Sequence, residues 1–227
     1  MAAGRHIAAE LARRDPVVSM LVATHGVPPT RRAVPAEDRF AALVQVICSQ
    51  QLAGNAARAI HGRLVAVLGG VVTPAAVLAR PAGQLAAAGL SGAKVAAVRD
   101  LADRVAHGQV ALGRIGGLED EAVVEHLVQV RGVGRWTAEI FLLFSLGRHD
   151  VWPVGDLGVR SGYARAFGLS AVPSPRELDS MADRFRPYRS TLAWYCWRVV
   201  DDRGPREPAQ RTRSRTAPVA SMVPELR

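Results

Sequence analysis

Apolar side chains recur every three or four positions along most of this chain, the period of a helix that buries one face. Phe40, Leu43, Val44 and Ile47 form an i, i+3, i+4, i+7 stripe, and Ile60, Leu64, Val67 and Leu68 form another. Val95, Val98, Leu101, Ala102 and Val105 continue the pattern. Tyr163, Ala164 and Phe167 follow, then Leu178, Met181, Ala182 and Phe185, and finally Leu192, Tyr195, Cys196 and Val199. Gly and Pro interrupt the stripes at "TPAAV", "LARPAG", "GLSGAK", "GRIGG" and "VPSPRE", which are expected to be breaks between helices. No sustained period-2 alternation bounded by hairpin turns occurs, so the predicted class is all-α. With 227 residues, 49% of them hydrophobic, the chain can bury one good-sized domain or two small lobes.

The tightest corner in that pattern is "VRGVGRWTAEI" (130–140), caught between two apolar runs. Val124, Leu127 and Val128 precede it; Ile140, Phe141, Leu143 and Phe144 follow. A phosphate loop would need G-x-x-x-x-G-K-[ST], and a dinucleotide fingerprint a third Gly where Thr137 stands; neither is met. Two readings remain. One is a plain corner between helices. The other is a helix-hairpin-helix, in which Gly132 and Gly134 let backbone amides face outward at the start of the next helix, where amides and helix dipole suit a DNA phosphate. A Cβ at either glycine would hold the phosphate off and resist a positive φ.

Charge and cysteine usage narrow the partners. The net charge is +9, from 28 Arg and one Lys, Lys94, and a surplus of this sign favours a polyanion. The segment "RGPREPAQRTRSRTAPVASMVPELR" (203–227) holds six Arg, two Glu and four Pro with almost no periodicity, so a disordered basic tail is expected there. Cys48 and Cys196 are the only cysteines; they fit a reducing cytoplasm and exclude a four-cysteine cluster or zinc site. The six His are scattered and no H-E-x-x-H occurs, so no catalytic metal is expected. The opening "MAAGRHIAAELARRDP" puts charges on both sides of short apolar pieces and is not expected to be a signal peptide. No window approaches the roughly 18 apolar residues of a spanning helix, so no membrane association is expected.

Downstream, "DVWPVGDLGVRSGYARAFGL" (150–169) places Asp156 after Pro153 and Gly155, at the start of a helical pattern. Alone, that reads as an N-cap. It also stands 22 residues after Gly134, beyond one amphipathic helix. In that order and spacing the chain resembles the helix-hairpin-helix superfamily of base-excision DNA glycosylases, whose hairpin is followed by an aspartate at this interval. The similarity runs from about residue 35 to residue 202. It implies two helical lobes around a DNA-binding cleft (35–202), preceded by an N-terminal helical extension (1–34) and followed by the basic tail.

Position 136 separates the branches of that family. Relatives such as endonuclease III carry a lysine there that attacks the sugar, whereas Trp136 has no nucleophilic atom, so lyase chemistry is not expected. Lys94 lies far from the hairpin in sequence. "GRWTA" resembles the AlkA-like branch, 3-methyladenine DNA glycosylase II, in which this Trp helps wall the base pocket. An indole suits a cationic alkylated purine by stacking and cation–π attraction; the alternative for Trp136 is a core residue packed on the hairpin. "VICSQQLAGNAARAIHGRL" (46–64) resembles the family's "SQQ" segment and puts Gln51 where relatives push a side chain into the duplex. Without the resemblance, Gln50 and Gln51 read as an exposed polar pair. "RPYRSTLAWYCWRVV" (186–200) resembles the branch's C-terminal helix, in which Trp197 would face the pocket, while the faces of Trp194 and Tyr195 stay open. DNA contact is implied for Gly132, Gly134, Arg135 and Thr137.

Two departures stand out. The best-known members of the branch carry an N-terminal β-rich domain, so a compact form is expected here. "VGDLGV" differs from the more usual acidic or Thr-containing sequences around the aspartate, which leaves substrate preference open.

The function the resemblance implies is a monofunctional glycosylase of base excision repair, acting as a monomer in the cytoplasm at the nucleoid. It would flip alkylated purines out of double-stranded DNA and hydrolyse the glycosidic bond. Asp156, ionised near a helix N-terminus, would stabilise the sugar cation and orient or deprotonate water. No cofactor is required; a monovalent cation on hairpin carbonyls is common in relatives and compatible with this hairpin. Two other functions fit part of the pattern. A non-catalytic helix-hairpin-helix DNA-binding protein would keep the glycines and charge but need no Asp156 and no aromatic pocket. A glycosylase for a neutral lesion or mismatch would differ in pocket polarity.

Overall fold

The computed structural model describes residues 2–29, 32–52 and 54–202. The basic tail expected over 203–227 lies outside the described residues, which hold no strand. Two helices open the chain, α1 (Ala2–Arg14) and α2 (Pro16–His25). Seven follow: α3 (Arg39–Ser49), α4 (Gly54–Val67), α5 (Pro74–Leu78), α6 (Ala82–Ala87), α7 (Gly92–Ala106), α8 (Asp120–Leu127) and α9 (Arg135–Phe144). The last three are α10 (Leu157–Ala166), α11 (Pro175–Met181) and α12 (Arg189–Asp201). They form two compact units. One comprises Met1–Arg31 and Arg148–Arg227, so that α1 and α2 belong with α10, α11 and α12; the other is Arg32–Gly147. Among the described residues no helix is long and apolar enough to cross a membrane.

Several segments expected as breaks are helix starts. Thr73 caps α5 by accepting the Ala76 N–H at 3.2 Å, with Pro74 in the first turn. Ser91 of "GLSGAK" caps α7, and Ser174 of "VPSPRE" forms a reciprocal capping box with Glu177, again with proline next. The reason is that proline lacks one of the N–H groups that the first turn leaves unbonded, and a neighbouring hydroxyl accepts another. Punctuation by Gly and Pro thus marks entries as well as exits.

In the Arg32–Gly147 unit, the α3 stripe of Phe40, Leu43, Val44 and Ile47 is buried, and α3 packs on α4, α7 and α9. From α7 come Val95, Val98, Leu101 and Ala102; from α9 come Ile140, Phe141 and Leu143. Each large apolar side chain so enclosed stabilises by about 1.5–3 kcal/mol relative to exposure.

In the other unit α12 is the central element, packing on both α10 and α2. Trp194 and Tyr195 cluster with Leu21 of α2, flanked by Val17 and Val22, and the Tyr195 hydroxyl donates to the Gly26 carbonyl at 2.9 Å. The two aromatics whose faces the sequence leaves open are therefore core. The stripe over 178–185 holds at Leu178, Ala182 and Phe185 but not at Met181, which is exposed where α11 ends.

The closest packing here is backbone on backbone. A Cβ built on Gly162 of α10 would lie 2.0 Å from the Cys196 carbonyl oxygen and 2.7 Å from its Cα. No side chain can swing away to relieve that overlap, so α10 and α12 meet at this distance only because residue 162 is glycine. Gly162→Ala should therefore destabilise the protein by about 1–3 kcal/mol, the usual range for overpacking, despite alanine's better helix propensity. Thermal unfolding by circular dichroism checks this; an unchanged or raised Tm contradicts it.

Candidate functional site

The hairpin lies wholly within the Arg32–Gly147 unit. After α8 ends, the Val130 N–H donates to the Leu127 carbonyl and the Val133 N–H to the Val130 carbonyl, both at 3.0 Å. Gly132 is left-handed, φ +74°, and a Cβ on it would stand 3.2 Å from Cβ of Ala97 on α7. Gly134 is the N-cap of α9 at φ −96°, ψ 175°. That is extended backbone open to any residue, so the expected positive φ holds for Gly132 and is corrected for Gly134. Among the described residues, nothing apart from its chain neighbours lies within 4 Å of a Cβ on Gly134. Its glycine leaves open the space before the first turn of α9, where helix amides and the positive end of the dipole favour an anion.

The other expected residues around the hairpin differ in availability. Thr137 is only 2% exposed, and its hydroxyl accepts a 2.9 Å hydrogen bond from Gln50 Nε2. The same amide donates to the Gly132 carbonyl at 3.0 Å. Arg135 is exposed but engaged: its guanidinium bonds Glu121 and lies 3.9 Å from Glu139. That hydrogen bond holds the Glu121 carboxyl below the usual carboxylate range. Trp136 is partly buried in the first turn of α9, and Gln51 is exposed. Gln51 has φ +58°, the one positive φ at a non-glycine position among the described residues.

Two groups missed in the sequence support this arrangement. Lys94, distant in sequence, donates from Nζ to the carbonyls of Cys48 (2.6 Å) and Gln50 (2.8 Å). Asp100 Oδ2 accepts the Arg131 N–H at 2.8 Å. The only hint in the sequence was that Lys94 is the chain's single lysine; the contacts themselves are non-local.

Asp156 lies in the other unit, 5% exposed, as the N-cap of α10. Its Oδ1 accepts the Val159 N–H at 2.8 Å and the indole N–H of Trp197 at 3.0 Å. Trp197, expected to face a pocket, is fully buried against the carboxylate. A Cβ on Gly158 would come within 3.0 Å of both Asp156 Oδ1 and Trp197 Cδ1, so that glycine makes room for the pair. Gly158 and Gly162 share one face of α10, a small-residue spacing that the sequence displayed and that marks close helix approach. The approach to Asp156 is anchored as well. Arg189 Nε donates to Asp150 Oδ1 and Nη2 to Oδ2, at 2.8 and 2.9 Å, and the Val151 N–H donates to Ser190 Oγ at 2.9 Å. One helix, α12, thus fixes the segment leading to the carboxylate as well as the indole that touches it.

The chain is similar to known proteins over most of its length. Residues 44–187 match the family model described as HhH-GPD superfamily base excision DNA repair protein. DNA-3-methyladenine glycosylase 1 of Schizosaccharomyces pombe is 31% identical over 171 residues, covering 74% of this chain and 75% of that protein. The solved structure of S. pombe 3-methyladenine DNA glycosylase Mag1 in complex with abasic DNA superposes with a TM-score of 0.78 at 29% identity, covering 85% of this chain and 95% of that one. DNA-3-methyladenine glycosidase from Bacillus halodurans gives a TM-score of 0.71 at 29% identity, covering 84% and 87%.

The two hairpin glycines should separate in stability measurements. Gly132→Ala forces a side chain into left-handed backbone, at a cost of about 1–2 kcal/mol and roughly 4 °C in Tm. Gly134→Ser places a favoured N-cap residue in backbone it adopts freely and should leave Tm unchanged or higher. Equal losses in the two variants would contradict this division.

Proposed function

This chain belongs to the HhH-GPD superfamily of base excision DNA repair proteins, and from that membership we propose that it is a monofunctional DNA glycosylase for alkylated purines of the 3-methyladenine type. It takes double-stranded DNA as substrate, flips the damaged nucleotide out, and acts as a cytoplasmic monomer. The observation that carries the reading is Asp156, buried at a helix N-terminus and held through one oxygen by the Val159 N–H and the Trp197 indole. Such a group is oriented before the reaction begins, as stabilisation of a developing charge requires.

The chemistry needs little else. An alkylated purine is already cationic; as the N-glycosidic bond breaks, its electron pair passes to the base and discharges it. Positive charge builds on the sugar, where the Asp156 carboxylate stabilises it and orients a water; the water oxygen bonds to the sugar carbon as one of its protons passes to the carboxylate and from there to solvent. Trp136, partly exposed in the first turn of α9, is assigned to stacking on the flipped base. Gln51 is assigned to the gap left in the duplex, and the amides at the start of α9 to a phosphate. Arg135 reaches DNA by exchanging Glu121 for phosphate, and Thr137 acts through Gln50, keeping the hairpin in shape.

The reading requires no cofactor. A monovalent cation at the hairpin fits the donors: the Leu127, Val130 and Gly132 carbonyl oxygens each accept a hydrogen bond, and a carbonyl oxygen has two lone pairs. No step above passes through it.

Asp156→Asn keeps an Oδ1 to accept both hydrogen bonds while losing the charge. It should lower release of methylated purines from alkylated duplex by about 10²–10³ with DNA affinity intact; turnover near wild type refutes the assignment. Borohydride should trap no covalent enzyme–DNA adduct, since Trp136 offers no amine and the Lys94 amine is committed to two carbonyls. A trapped species that disappears in Lys94→Ala would show lyase chemistry instead.

A further inference from the structure

The turn that carries Gln51 is held in an unfavourable shape by something other than its own sequence. Gln50 has φ −51°, ψ 129°, Gln51 has φ +58°, and the Leu52 N–H donates to the Ser49 carbonyl at 3.2 Å. This is the form of a type II turn, whose third position ordinarily takes glycine or asparagine. What distinguishes it from the commoner type I turn is the flipped central peptide, here the one between Gln50 and Gln51. The oxygen of that peptide is the Gln50 carbonyl, and Lys94 Nζ donates to it at 2.8 Å. A second bond at 2.6 Å to the Cys48 carbonyl caps the end of α3 and fixes where the ammonium sits. The Gln50 side chain then ties the same turn to the hairpin through Gly132 and Thr137.

Building on the functional reading above, we infer that Lys94 is a positioning residue: it holds the peptide that presents Gln51, and so sets the side chain that enters the duplex when a base is flipped. Lys94 touches neither base nor sugar in this scheme and acts through Gln51. Burial pulls its ammonium below the usual lysine range, as expected of an amine drawn under a turn. Three side chains of α7 serve one face of the arrangement: Lys94 under the turn, Ala97 against Gly132, and Asp100 on the Arg131 amide.

Two double-mutant cycles on the full chain test this. The first is thermal and independent of activity. Gln51→Gly should raise Tm by roughly 2 °C in the wild-type background, where it relieves left-handed backbone. In the Lys94→Met background the turn is free to relax, so the gain should vanish. An equal gain in both backgrounds overturns the inference.

The second cycle measures single-turnover excision from alkylated duplex. Lys94→Met should lower the rate roughly tenfold, the factor equivalent to the preference of a non-glycine residue for right-handed backbone. With Gln51→Ala already present, Lys94→Met should cost nothing further, because its effect passes through Gln51. Lys94→Arg, which still donates to both carbonyls, should recover most of the rate. Multiplicative losses in the double variant, or an arginine variant as impaired as the methionine one, overturn the inference. If the wild-type protein releases no base, the glycosylase reading falls, and the thermal cycle still decides whether Lys94 holds the turn.

Discussion

The contact between Gly162 and the backbone of Cys196 sets the geometry of everything around Asp156. With the two main chains this close, α10 and α12 have no freedom to slide or roll, and residues elsewhere on their faces meet in one register. One turn earlier on α10 stands Gly158, and against it Trp197, one residue after Cys196. The indole N–H can therefore reach Asp156 Oδ1 without adjusting either helix. A buried carboxylate needs hydrogen-bond donors to be tolerated, and here they come from its own helix and from the neighbour that the glycine admits.

The Arg32–Gly147 unit follows a different logic. Its exposed elements are loops, and loops take their shape from what lies beneath them. The platform is α7, which contributes a cation, a methyl group and a carboxylate to carbonyls, a glycine Cα and an amide respectively. Two of these contacts are polar, and the same helix also buries Val95, Val98, Leu101 and Ala102. A single helix thus contributes to the core and also holds the loops that lie over it.

How much of this the sequence revealed depended on range. Periodic features were plain: the α3 stripe is buried as its spacing requires, and the corner at 130–134 joins two helices. Local chemistry was partly readable. Asp156 is the N-cap its context suggests, and Gly132 has the positive φ its position suggests. Gly134 does not, because its role is set by open space in front of α9 rather than by its own dihedral angles. The break expected at "VPSPRE" lies between α10 and α11 and also supplies the cap of α11, whereas most of "TPAAV" is α5 itself, opened by its proline. Least legible were interactions between residues remote in sequence. Gln50 is an ordinary polar residue until Thr137 and Gly132 are placed beside it, and nothing local in the sequence shows that the Trp197 indole bonds Asp156.

The pairing of Arg135 with Glu121 has a consequence for ionic strength. Salt dependence of DNA association counts the counterions released when cationic groups newly neutralise phosphates, about 0.9 per phosphate in duplex. A guanidinium already balanced by a carboxylate exchanges one anion for another, and the carboxylate it leaves behind must recruit a cation from solution. On the function proposed, an Arg135 that turns to a phosphate would add little to the steepness with which added salt weakens the complex. That steepness is left to basic groups that have no such acidic neighbour.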